Sequence, residues 1–138
     1  MWNPKNPSVA NVEKLKRKID KLRKGTIVRL GGMTDCFQPI ELDNRITYKI
    51  IKYLNKRRIG YLIVTKSSIV ANDEYLKIYD KDLAHFQITV TTTDDSKSVK
   101  YEKATVPSKR IEAIEKLYKN GFDVQVRLSP FIYEYIDF

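Results

Sequence analysis

The chain has 138 residues, 42% hydrophobic and 31% charged, which supports one domain with a modest core and excludes a disordered polymer. No apolar run approaches the roughly 20 residues of a membrane helix, and the single cysteine, Cys36, excludes an intramolecular disulfide and any metal site built on several thiolates. The net charge of +9 can attract nucleic acid or anionic lipid, but the bases read as dispersed along a lysine-rich chain.

Residues 1–8 are rich in Pro and Asn and read as an extended lead-in. They lack the apolar stretch of a signal peptide, so a cytoplasmic location is the expectation. Ser8 can cap a helix from about Val9 to Lys24, with Gly25 ending it. Within it, Val12, Leu15, Ile19 and Leu22 share one face. Lys14, Lys16, Arg17, Lys18, Lys21, Arg23 and Lys24 make the densest basic block, read as a solvated helix face. Thr26–Leu30 is a short buried strand, and Gly31-Gly32 opens a loop through Pro39. Asp43 or Asn44 can cap a second helix whose inner face is Ile46, Ile50, Ile51 and Leu54. Tyr61–Val64 is the second strand, followed by the polar loop Thr65–Ser68.

A third helix is expected over Asn72–Leu83 and a third strand over Phe86–Thr91. The polar stretch Thr92–Thr105 is the longest loop. Pro107 or Ser108 starts a fourth helix carrying Ile111, Ile114, Leu117 and Tyr118, closed by Asn120-Gly121. Phe122–Leu128 is the fourth strand, and residues 129–138 form an aromatic tail. Strands alternating with helices in this way predict a parallel α/β sheet. Its ligand loops gather at one end: Gly31–Pro39, Thr65–Ser68, Thr91–Thr105 and Arg127–Pro130. Four strands do not close a barrel. A half-barrel completed by another chain or a second copy, a truncated product and a small open sheet are the three ways to accommodate them.

The segment Gly31-Gly32-Met33-Thr34-Asp35-Cys36-Phe37-Gln38-Pro39-Ile40-Glu41 is the most specific in the chain. Two glycines let backbone approach a ligand, and Thr34 and Asp35 offer acceptors for an ammonium group. An ordinary βα turn is the competing structural reading. The segment resembles the second-strand motif of radical S-adenosylmethionine (SAM) proteins related to spore photoproduct lyase, the group labelled DNA repair photolyases. Val64-Thr65-Lys66-Ser67 is similar to that group's third-strand motif, and Thr89-Val90-Thr91-Thr92-Thr93-Asp94 to its fourth. Tyr101-Glu102 with Pro107–Ile114 resembles the signature leading into the next helix, and Arg127–Ile132 the fifth-strand end.

The resemblance spans about residues 26–135, in order. It implies a partial (β/α) radical SAM TIM-like barrel of about four parallel strands with helices on the outer face, forming one domain over 1–138. It also implies SAM contacts at Gly31, Gly32, Thr34, Asp35, Lys66 and Thr89. Thr34 and Asp35 fall where the SAM amino group is held, Lys66 where its carboxylate is met, and Thr89 where a hydroxyl helps hold the ligand. Glu102 and Arg110 are placed to pair or to orient the loop, with a plain surface ion pair as the competing reading, and Arg127 and Ser129 to face the cavity.

One departure limits the function. Enzymes of this kind hold a [4Fe–4S] cluster on three cysteines in a C-x3-C-x2-C loop, and one cysteine cannot do so. The cluster, and with it the 5′-deoxyadenosyl radical, is expected only in a longer or partnered form. No catalytic residue is assigned, and the chain itself holds no metal site. The alternative is a basic half-barrel that binds nucleic acid or protein without catalysis. His85, alone at a helix–strand junction, reads as structural, and Tyr133 and Tyr135 read as packing residues.

Overall fold

The computed structural model describes residues 11–31, 35–90, 95–96 and 105–127. The apolar positions of the first helix, α1 (Val12–Asp20), turn inward as their spacing requires, and Ile19 is buried in the core. Asn11 caps it, its side-chain oxygen accepting the Lys14 N–H at 3.1 Å. The strand β1 (Ile27–Leu30) follows, then the short α2 (Glu41–Asn44) and the longer α3 (Ile46–Arg57). β2 (Gly60–Thr65) leads into a 3₁₀ turn at Ser68–Ala71 and the one-turn helix α4 (Asp73–Leu76). β3 (Ala84–Thr89), α5 (Pro107–Lys119) and β4 (Asp123–Arg127) complete the described chain.

The four strands form one parallel sheet in the order β1-β2-β3-β4. Register and alternation assign the faces. Tyr61 pairs with Ala84, Ile63 with Phe86 and Thr65 with Ile88, and partners in register share a face. Tyr61, Ile63, Ala84, Phe86 and Ile88 are all buried in one cluster with Ile50, Ile51 and Leu54 of α3 and Ala113 and Leu117 of α5. Among the described residues the helices therefore cover one face only. The other face carries Arg29, Leu62, His85 and Asp123 in one row, and Val64, Gln87 and Gln125 in the next. This side is largely polar, unlike the apolar runs of a sheet buried on both faces.

The expected third helix over Asn72–Leu83 shortens to α4 because tertiary contacts take over its backbone. Asn55 donates its side-chain amide to the Ile78 carbonyl at 2.6 Å, and the Tyr61 hydroxyl accepts the Asp80 N–H at 3.2 Å. Tyr79 is drawn onto the sheet, edge-on to Phe86 with ring centroids 4.8 Å apart, and its hydroxyl donates to the Val70 carbonyl at 2.7 Å.

The second helix is not capped by Asp43 or Asn44. Arg45, left-handed at φ 55°, breaks it into α2 and α3. The buried Glu41 caps α3 from outside the helix, Oε1 accepting the Thr47 N–H at 2.7 Å and Oε2 the Tyr48 N–H at 3.0 Å. α5 uses the same device. Asp95 accepts the Ser108 N–H at 3.0 Å and the Ser108 hydroxyl at 2.7 Å. In both helices a carboxylate from outside the helix satisfies first-turn N–H groups and meets the positive end of the helix dipole. Among the described residues no helix is long and apolar enough to cross a membrane.

Candidate functional site

The carboxyl ends of β1, β2 and β3 lie side by side, and the loops leaving them hold the residues singled out in the sequence. Gly31, just past β1, has φ 88°, a region open to glycine and strained for other residues. A Cβ there would collide with the Val64 carbonyl oxygen of β2. Strand packing, rather than room for a ligand, is what requires this glycine. Gly32 and Thr34 lie outside the described residues.

Asp35 is the hub of this end. Its Oδ1 accepts the Thr65 hydroxyl at 2.6 Å and the Phe37 N–H at 2.9 Å, and its Oδ2 accepts the Lys66 N–H at 2.8 Å. A carboxylate has about four lone-pair directions, so one on Oδ2 remains beyond these bonds. Thr65 Oγ1 also accepts the Ser67 N–H at 3.0 Å. The loop after β1 is thereby fastened to the end of β2. Because Thr65 pairs with Ile88, Lys66 and Thr89 are the next residues on neighbouring strand ends. Lys66 is half-buried and Thr89 buried. Asp35 and Lys66 are joined directly, and Thr89 stands one strand over.

Thr89 is held from the opposite side. Arg110, fully buried on α5, donates Nη1 to the Thr89 carbonyl at 2.9 Å and Nε to the Thr105 carbonyl at 2.5 Å. It ties the Thr105 carbonyl to the end of β3, and its full burial sets aside a surface ion pair. Glu102 and Ser129 lie outside the described residues. Arg127 pairs in register with Thr89, and both belong to the helix-free face. On that face His85 Nδ1 lies 3.4 Å from Asp123 Oδ2.

Sequence reasoning did not single out the residues that hold the first loop rigid. Phe37 is fully buried and meets Tyr75 edge-on at 5.2 Å. The Thr47 hydroxyl donates to the Cys36 carbonyl at 2.7 Å. The Tyr75 hydroxyl donates a short hydrogen bond to Glu41, the carboxylate that caps α3. Glu41 and Thr65 both sit inside the motifs quoted for the resemblance. Tyr75 lies 34 residues from Glu41 and Asp35 lies 30 from Thr65, and no local pattern points to these pairings.

Burial, reinforced by the neighbouring Asp35 carboxylate, pushes the Cys36 thiol well above its ordinary value, so it stays protonated at neutral pH and is a poor nucleophile or metal ligand. Burial, then the hydrogen bond to Glu41, likewise raises the Tyr75 phenol. Among the described residues no three His, Cys, Asp or Glu side chains are grouped to hold a metal ion.

These features define a parallel α/β protein whose consecutive strand ends carry a cross-linked loop cluster. An uncharacterized protein of Methanocaldococcus jannaschii is 32% identical to it over 113 residues, covering 80% of this chain. The chain spans only 42% of the length of that protein. No protein-family model matches the chain, and no solved structure does.

Proposed function

We propose that this chain is the SAM-binding, strand-two to strand-five portion of a radical SAM barrel of the spore-photoproduct-lyase-like group, not competent for catalysis by itself. The observation that carries the reading is the direct bond between Asp35 and the Lys66 N–H, with Thr89 beside them on the next strand end. These are three of the positions at which the resemblance expects SAM contacts. The winding supports it too. Strands added in one direction with helices on one face are what a closing (β/α) barrel requires, whereas a doubly wound sheet reverses direction and is covered on both faces. Val126 of β4 belongs to the helix-covered face yet is 54% exposed, as expected where a further βα unit would pack.

The residues suit SAM in part. The remaining direction on Asp35 Oδ2 fits an ammonium, and the cationic Lys66 fits a carboxylate. Arg110 fixes the strand end that presents Thr89. A [4Fe–4S] cluster does not fit this chain, whose one cysteine is half-buried and cannot supply three thiolates, so its ligands belong to a longer form or another polypeptide. SAM bound to such a cluster supplies hydrogen-atom abstraction. This chain's part is to bind and orient the amino-acid end of the cofactor.

Equilibrium dialysis with labelled SAM tests the reading. Weak binding is expected, reduced at least tenfold by Lys66→Ala. Equal binding by parent and variant would refute the assignment. Iron and sulfide reconstitution should fail on this chain, and a four-iron absorption spectrum from it would contradict the reading.

A further inference from the structure

The excess positive charge is not dispersed. Residues 11–58 hold fourteen Lys and Arg against five Asp and Glu, an excess of nine, whereas residues 59–138 hold eleven against twelve. A lysine-rich composition alone would raise both halves, so the segregation needs another cause. The fold then gathers this charge. α1 and α3 run alongside each other: Lys16 Nζ sits 5.3 Å over the Tyr53 ring, and one turn later Asp20 meets Arg57 at 3.4 Å. Lys14, Arg17, Lys18, Lys49, Lys52 and Lys56 are exposed on these two helices. The acids in α1, Glu13 and Asp20, are taken up by Lys16 and Arg57.

We infer that the outer face of α1 and α3 docks the phosphate backbone of a nucleic acid, independently of the SAM reading. Two physical points select this partner. An amphipathic helix that binds a membrane inserts its apolar face, but here Val12, Leu15 and Ile19 are packed in the core and neither helix carries an exposed large apolar side chain. A protein partner would favour aromatic residues and Arg, and Lys is depleted at such interfaces. Flexible, strongly hydrated ammonium groups suit contacts to successive phosphates without base readout.

The test is fluorescence anisotropy with a mixed-sequence duplex DNA over a salt series. About five phosphate contacts give a slope near −4.5 in log K against log salt, at about 0.9 per contact. Lys14→Gln/Lys18→Gln/Lys52→Gln should make the slope shallower by nearly three. Lys77→Gln/Lys109→Gln/Lys119→Gln, the same charge change on the balanced half, should leave it unchanged. Each single Lys→Gln within the patch should reduce it by about 0.9, which keeps the test decisive if the triple variant unfolds. Equal losses in both triple variants, no binding at low salt, or binding to phosphatidylserine vesicles with none to DNA would each overturn the inference.

Discussion

Replacing Glu41 by alanine removes a buried carboxylate that serves three donors at once: the Thr47 N–H, the Tyr48 N–H and the Tyr75 hydroxyl. The two amides lie in the first turn of α3, where no helical carbonyl can accept them. Loss of a helix cap costs about 1–2 kcal/mol. A buried hydroxyl deprived of its acceptor costs about 1–3 kcal/mol. The expected loss is therefore about 3 kcal/mol, or roughly 10 °C in Tm for a domain of this size at about 2.1 cal/mol/K per residue. Urea and thermal unfolding followed by circular dichroism would measure it. A double-mutant cycle with Tyr75→Phe should return a coupling of about 1 kcal/mol. A cost below about 0.5 kcal/mol for Glu41→Ala, within the range of surface substitutions, would refute the reasoning.

Three further outcomes are expected. Gly31→Ala combines a left-handed φ with a collision against the Val64 carbonyl, and urea unfolding should show a loss of about 2–3 kcal/mol. Arg110→Met leaves the Thr89 and Thr105 carbonyls without their buried donor. It should cost about 3 kcal/mol by the same measurement, with Arg110→Lys intermediate. Stability against pH should fall on the alkaline side. Burial raises the Tyr61, Tyr75 and Tyr79 phenols above their ordinary value in the folded chain, so the unfolded chain ionises first. The urea midpoint should hold up to about pH 10 and decline above it, and a midpoint flat to pH 12 would contradict this.

The alternation of elements was readable because Thr26–Leu30, Tyr61–Val64, Phe86–Thr91 and Phe122–Leu128 are short runs rich in apolar residues separated by helix-period segments, although only the two central strands are mostly buried and the first, expected to be buried, is a half-exposed edge. The observed strands lie within two residues of those ranges. The shortened third helix was not readable. Besides a local turn in which Asp80 accepts the Asp82 N–H, contacts from Asn55 and Tyr61, which are remote in sequence, hold this segment out of the helix. The cap of the second helix was misread, and the Asp95 cap missed, for a related reason. A Ser, Thr, Asp or Asn beside a helix start is a local signal, whereas Glu41 and Asp95 act from six and thirteen residues away. At the candidate site Asp35, Lys66 and Thr89 were legible as strand-end residues. That Asp35 would spend most of its bonding on the β2 end was not, because a carboxylate's partners depend on register.

The unbroken strand order has a consequence for synthesis on the ribosome. Each strand pairs with the one made just before it, so β2 can dock on β1, and α3 on both, while β3 is still being translated. Among the described strands assembly can proceed vectorially, with each new unit templated by the last. Until the next strand arrives, the growing edge is the surface most exposed to mispairing with another nascent chain.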